Sequence, residues 1–241
     1  MRLAEGVLEA EAGGERLWLL PERAAFWPRE RTLLVADAHI GKDAAFRTAG
    51  LAVPRGPTCD DLARLAVLIE RYRPARLVFL GDLMHNRSAR DAAAAAFIEW
   101  RTRFTQLDVV LVRGNHDRHA GDPGHEWNLR CVDDPHAMRG LALCHVPRGI
   151  KGRYVIAGHV HPAVRLHGRG RDSLRLPCFF FTESYAIMPA FGSFTGMADV
   201  APLAQHRLFV AAGSQVIPAY LQAVKHGITT QARNTCRRGE I

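Results

Sequence analysis

Apolar residues come in short blocks along the first two thirds of the chain, and the blocks end abruptly. Leu33 to Ala36 is followed at once by Asp37, Leu77 to Leu80 by Gly81 and Asp82, and Val109 to Val112 by Arg113, Gly114, Asn115 and His116. Leu141 to Cys144 is followed by His145, and Tyr154 to Ala157 by Gly158 and His159. Runs of this length without a polar interruption suit strands covered on both faces. Between them lie two stretches with helical spacing. Thr58–Arg73 places Leu62, Leu65, Ala66, Ile69 and Tyr72 on one face and stops at Pro74. Ser88–Phe104 does the same with Ala93, Phe97, Trp100 and Phe104. In each, a hydroxyl residue is followed three positions later by Asp (Thr58 and Asp61, Ser88 and Asp91), which predicts a capping-box start. The mixture predicts an α/β fold, and open sheets of that class collect functional residues at the carboxyl ends of their strands.

Composition adds limits. The chain has 241 residues, enough for one large domain or two small ones. Hydrophobic residues are 48% and charged residues 23%, which excludes a disordered or collagen-like chain. Cys59, Cys131, Cys144, Cys178 and Cys236 are scattered without a CxxC pair, which argues against a disulfide framework or a structural zinc site. Cys144 and Cys178 lie in apolar runs and read as small core residues. No apolar run is long enough to span a bilayer. The N-terminal stretch carries Glu5, Glu9, Glu11 and Glu15 where a secretory signal needs an apolar segment. A cytoplasmic protein with no membrane association is therefore expected. The net charge of +8 favours a polyanionic partner such as nucleic acid, although the arginines are spread along the chain. Residues 1–220 read as one domain. Residues 221–241, which soon lose any apolar face, read as a basic, mobile C-terminal tail.

The strand ends carry the candidate chemistry. Together they hold Asp37, His39, Asp82, Asn115, His116, His145, His159 and His161. Asp37 and His39, like His159 and His161, are two residues apart, so in an extended segment both members of a pair can face one cavity. Carboxylate, imidazole and amide oxygen without thiolate suit Mn²⁺, Fe or Zn²⁺. So many ligands exceed the needs of one ion and imply two, with a carboxylate between them. A lone Asp at a strand end is commonly a turn or cap residue. Five strand ends of this kind in one chain are poorly explained that way.

Asp37-x-His39, Gly81-Asp82, Gly114-Asn115-His116-Asp117, His145 and Gly158-His159-x-His161 resemble the calcineurin-like metallophosphoesterase superfamily over about residues 30–165. The resemblance implies a four-layer α-β-β-α sandwich, two mixed sheets flanked by helices. Leu174 to Phe181, Leu208 to Val210 and Gln215 to Pro218 would furnish the second sheet. It assigns one divalent ion to Asp37, His39 and His161 and a second to Asn115, His145 and His159, with Asp82 bridging. Mn²⁺ is the first expectation, with Fe, Zn²⁺, Co or Ni as alternatives. By the same resemblance His116 faces the phosphate and assists its chemistry, and Asp117 serves the loop rather than a metal. His85 stands where phosphatase members carry an Asp. It resembles the double-strand-break repair nucleases there, which gives it a supporting catalytic role. Arg87, Arg113 and Arg118 flank the site and are candidates to hold substrate phosphates in bidentate fashion.

More narrowly, Gly81-Asp82-Leu83-Met84-His85-Asn86-Arg87, Met188-Pro189-Ala190-Phe191-Gly192 and Phe194-Thr195-Gly196 resemble the bacterial ligase-associated DNA damage response endonucleases. That implies a manganese-dependent phosphodiesterase cutting single-stranded DNA internally, in functional association with an ATP-dependent DNA ligase, a helicase and a nuclease. Two other readings stay open. One is a phosphoesterase for a small nucleotide or nucleotide-sugar substrate, since one core hosts many specificities. The other is a metal-stabilised binding module, against which the presence of Asp82 and His116 counts.

Overall fold

A computed structural model of the chain describes residues 3–167, 173–224 and 227–232. The first sheet opens with β1 (Leu8–Ala12), β2 (Glu15–Leu20) and β3 (Ala24–Trp27), antiparallel to one another and to β4 (Thr32–Val35). Helices α1 (Lys42–Thr48) and α2 (Pro57–Tyr72) lead to β5 (Arg76–Phe79). Helix α3 (Arg87–Thr102) leads to β6 (Asp108–Val112), and α4 (Asn115–Ala120) to β7 (Arg130–Val132). Strands β4 to β7 run parallel, in chain order. The second sheet takes β8 (His136–Met138), β9 (Leu141–Leu143), β10 (Tyr154–Ala157), β11 (Pro162–His167) and β12 (Ser173–Phe181). It continues with β13 (Tyr185–Ile187), β14 (Ala198–Asp199), β15 (Arg207–Ala212), β16 (Gln215–Val224) and β17 (Gly227–Ala232).

Strand alternation explains why the apolar blocks are unbroken. Leu33 and Val35 of β4, Leu77 and Phe79 of β5, and Val109 and Leu111 of β6 pack under the helices with Leu65, Ile69, Phe97 and Trp100. Their neighbours Leu34, Val78, Val110 and Val112 face the other way, onto Leu141, Leu143, Ile156, Phe179 and Phe181 of the second sheet. Each strand is thus buried on both faces, as its sequence predicts. Cys144 and Cys178 are fully buried, as expected of core residues.

The expected sandwich of two mixed sheets is present. All four α-helices among the described residues fall between Lys42 and Ala120, on the side of the first sheet. On the far side the second sheet curls over itself instead. β11, β12, β15, β16 and β17 pair in succession, and β17 returns to β11 at Thr230 opposite Leu166. The enclosed side chains include Val164, Cys178, Phe180, Leu208, Val210 and Ala219, so strands rather than helices cover this apolar surface. The tail boundary expected at 221 falls inside β16, because residues 221–224 pair with 227–230 as a hairpin. Residues 233–241 of that tail lie outside the described residues.

Both helix starts differ from the capping-box expectation. Helix α2 begins at Pro57 behind Gly56, and the Thr58 hydroxyl accepts the Gly41 N–H while donating to Asp43. Asp61 accepts the Ser193 N–H and pairs with Arg64. Helix α3 is capped by Asn86, whose side chain accepts the Ala89 N–H at 2.8 Å. The polar residues of the expected α2 box are thus spent on tertiary bonds. No helix among the described residues is long and apolar enough to cross a membrane.

Candidate active site

The five predicted strand ends converge at the seam between the sheets. The first sheet delivers Asp37, His39 and Asp82 from the loops after β4 and β5, and Asn115 from the start of α4 after β6. The second delivers His145, His159 and His161 from the loops after β9 and β10. Asp37, His39, Asp82, His159 and His161 all have φ between 44° and 71°. A strand that ends in one left-handed residue turns at once, and Asp and His tolerate that region better than branched residues. Local backbone cost of this kind is characteristic of functional loops.

The glycine before each of three ligands makes room for a ligand from a neighbouring loop. A Cβ on Gly81 would lie 2.2 Å from His145 Nδ1, one on Gly114 2.2 Å from Asp82 Oδ1, and one on Gly158 2.5 Å from Asp37 Oδ2. The Gly-Asp, Gly-Asn and Gly-His pairs of the sequence are therefore packing requirements of the site.

Two ligand groups form: Asp37 with His39 and His161, and Asp82 with His145 and His159. Within each, one ligand atom per residue lies within 4.8 Å of the others. Asp82 spans them. Its Oδ1 is 3.4 Å from His145 Nε2, and its Oδ2 is 3.9 Å from His39 Nε2. Asn115 joins the second group, with Oδ1 2.8 Å from His145 Nε2.

Hydrogen bonds behind the ligands fix which nitrogen faces inward. His145 Nδ1–H donates to the Leu80 carbonyl at 3.1 Å, and His161 Nδ1–H donates to the Gly196 carbonyl at 3.1 Å. Each ring therefore presents its Nε2 lone pair to the cluster. His159 Nδ1 lies 3.0 Å from His145 Nε2.

The donor set fits cations. Asp37 Oδ1 is buried without a hydrogen-bond partner among the described residues, 3.5 Å from His161 Nε2. Burial, with Asp37 and Asp117 nearby, pushes the Asp82 carboxyl up to about 8. Burial, Lys42 and His161 push the His39 imidazole down to about 2, so its ring stays neutral. Neutral imidazoles around crowded carboxylates present lone pairs that divalent ions satisfy.

His116 stands beside these groups rather than in them. Its Nδ1–H donates to the His85 carbonyl at 2.7 Å, its backbone N–H donates to Asp82 Oδ1 at 3.0 Å, and its ring stacks on His85 at 4.8 Å. His85 thus orients His116 through a backbone oxygen and a ring face. Asp117 is fully buried and accepts the Met84 and Gly114 N–H groups, which holds two ligand loops together.

The three arginine candidates divide. The Arg113 guanidinium is bidentate on Asp122 and also reaches Asp133 at 3.2 Å, and Arg118 pairs with Asp133 at 3.5 Å. Arg113 thus spends three of its five N–H donors on carboxylates, while Arg118 is half exposed and keeps most of its donors unengaged among the described residues. Arg87, at the start of α3, is exposed and makes no ion pair among the described residues.

Sequence reasoning missed several neighbours. Lys42 lies close enough for its charge to lower His39 and His85. Phe46 stands next to His85, and Phe194 packs on Phe46. The 190–196 segment closes the site: Phe191 N–H donates to the Ala36 carbonyl and Gly192 N–H to the Asp37 carbonyl. Asp61 and Arg64 of α2 clamp it through Ser193 N–H and the Phe191 carbonyl. The paired Gly-ligand motifs signalled the metal ligands, and the resemblance of the 188–192 and 194–196 segments marked the closing loop, whereas nothing local signalled Lys42, Phe46, Asp61 or Arg64 as partners of the site.

Residues 30–141 match the family model described as calcineurin-like phosphoesterase. The chain is 44% identical to the nuclease MPE of Pseudomonas putida, covering 88% of this chain and 99% of that one with a TM-score of 0.78. The phosphoesterase Yfce of E. coli is 14% identical, covering 84% of this chain and 99% of its own, with a TM-score of 0.36. A search of curated protein sequences gives no match. The chain belongs to the calcineurin-like phosphoesterase family. It is a metal-dependent phosphodiesterase of the hydrolase class, with two groups of residues suited to divalent metals.

Proposed function

We propose that the chain is a manganese-dependent endonuclease of single-stranded DNA that works in DNA repair in the cytoplasm. The observation that carries this reading is the likeness to a protein described as a nuclease, which extends over nearly all of both chains. Two divalent ions held by Asp37, His39, His161, Asp82, Asn115, His145 and His159 would supply Lewis-acid charge to the phosphoryl oxygens and make water more acidic. The chain's own residues do the rest. Asp82, with one oxygen toward each group, sets the groups' separation. His116, its Nδ1 proton held by the His85 carbonyl, keeps Nε2 free to face a phosphate. A proton on that Nε2 can pass to the leaving sugar oxygen, the general-acid step that histidines commonly perform. Arg87 and Lys42 are the cations we assign to the flanking phosphates.

The preference for a single strand follows from stiffness. A flexible strand bends its phosphate into a seam between two sheets, whereas a duplex must be deformed at a cost of about 1–6 kcal/mol. Functional association with an ATP-dependent DNA ligase, a helicase and a nuclease belongs to this proposal. The test is digestion of circular single-stranded DNA in Mn²⁺. A circle has no ends, so its linearisation demonstrates internal cutting. If the circle survives while small phosphodiesters are consumed, the substrate is a small nucleotide and the DNA reading fails. Affinity for the strand should also fall with salt, by about 0.7 in log K per log unit for each neutralised phosphate.

A further inference from the structure

Two phenylalanines occupy a place beside the catalytic histidines that the metal chemistry does not explain. Phe46 of α1 meets the His85 ring edge-on at 5.7 Å, and Phe194 of the 190–196 segment meets Phe46 edge-on at 5.6 Å. His85 in turn stacks on His116 at 4.8 Å, so four rings run outward from the reacting centre. Both phenylalanines are half-buried, and among the described residues neither belongs to any of the apolar cores. Lys42 Nζ lies 5.7 Å from the Phe46 ring centre, on the same helix.

Both rings are held in place by polar anchors. Helix α1 is tied down at its start, where the Gly41 N–H donates to the Thr58 hydroxyl and Asp43 receives Thr58 and Arg47. The loop bearing Phe194 is fixed on either side by Ser193 N–H to Asp61 and by the Gly196 carbonyl to His161. A partly exposed, anchored aromatic surface beside a phosphate-cleaving centre, with a cation over one of its rings, matches the chemistry of a nucleotide. Bases stack on aromatic rings while the adjoining phosphates seek positive charge.

We propose that Phe46 and Phe194, set nearly perpendicular, form an aromatic platform on which the nucleobase next to the scissile phosphate stacks against one ring and abuts the other, with Lys42 on the adjoining phosphate. This rests on the nuclease reading and names how that site engages its substrate. It also supplies a second reason for preferring a single strand, because a base paired in a duplex has no free face for the platform.

The experiment compares an ordinary single-stranded oligonucleotide with one of equal length made of abasic tetrahydrofuran units. Dissociation constants are measured by fluorescence anisotropy in EDTA, and kcat/KM in Mn²⁺. The wild-type chain should prefer the base-bearing strand. Phe46→Ala and Phe194→Ala should each lose roughly 5- to 150-fold on that strand, the range one base–aromatic stack is worth, and stay within about twofold on the abasic strand. Phe46→Leu and Phe194→Leu keep the apolar bulk, so they should keep the melting temperature yet lose the preference for bases. Equal losses on both strands, or full rescue by Leu, would assign the rings to packing and overturn the proposal. A wild-type chain that treats the two strands alike overturns it too, while leaving the nuclease reading intact. A chain that cuts neither strand overturns both.

Discussion

Replacing Gly81 by alanine isolates the packing that brings two strand ends together. Gly81 has φ of +80°, and an added Cβ would sit 2.2 Å from His145 Nδ1. Left-handed backbone costs a non-glycine residue about 1–2 kcal/mol. The imidazole must also move, although His145 is 1% exposed and has little space to enter. Moving it breaks the 3.1 Å bond to the Leu80 carbonyl, worth about 0.5–1.5 kcal/mol. Gly81→Ala should therefore cost about 1.5–3.5 kcal/mol, which for a chain of this size lowers Tm by about 3–14 °C. Gly152 provides the control. Its φ is +75° with nothing within 4 Å of an added Cβ, so Gly152→Ala carries the backbone cost alone. Melting is to be measured in EDTA, because bound metal stabilises the folded state by linkage and would mask the difference. Activity should separate the two variants more sharply. Gly152→Ala should cleave like the wild type, while displacement of His145 in Gly81→Ala should cost at least about 10- to 100-fold. If Gly81→Ala matches Gly152→Ala in both Tm and activity, the close approach is not what the glycine serves.

Removal of metal by EDTA should abolish cleavage, with Mn²⁺ the most effective ion on restoration. Asp82→Asn should lose both activity and the Mn²⁺-dependent rise in Tm, and full activity in that variant would refute the two-metal reading. His116→Ala should keep the Mn²⁺-dependent rise in Tm and lose about 10²–10⁴-fold in rate. That loss should shrink on a nitrophenyl leaving group if His116 Nε2 donates a proton, and an equal loss on all leaving groups would limit it to an electrostatic role. Arg64→Ala removes a clamp on the 190–196 segment, whose Gly192 N–H bonds to the Asp37 carbonyl. It should lower kcat while leaving the sheets folded by circular dichroism, and wild-type kcat would show that the clamp is dispensable.

The metal ligands were legible because each follows a strand buried on both faces. Such a strand leaves an unbroken apolar run, and the next polar residue stands out against it. Leu33 to Ala36 before Asp37 and Tyr154 to Ala157 before His159 show the rule at both sheets. The N-terminal strands carried a weaker signal of the same origin. In β1 the buried Ala10 and Ala12 alternate with exposed Glu9 and Glu11, a period of two that acidic residues obscure as easily as they mark. Helix starts were read less well, since Thr58 and Asp61 have the spacing of a capping box but bond to Asp43 and Ser193. A local pattern fixes which groups can bond, and packing decides which of them meet.

That distinction also separates the two halves of the site. Ligands sit at strand ends, where hydrogen-bonded pairing such as Leu34 beside Val78 sets their spacing almost irrespective of the loops. Phe46, Phe194 and Lys42 sit on a short helix and a closing loop whose positions depend on Asp43, Asp61 and Arg64. Their juxtaposition therefore has no local signature in the sequence. The side chains of Phe46 and Phe194 make no contact with a metal ligand among their ring contacts, although the backbone of the 190–196 segment does bond to Asp37 and His161. The strand-end geometry restricts the chemistry, and under the stacking proposal the rings on these two anchored elements are where selectivity for bases over bare phosphodiesters would be set.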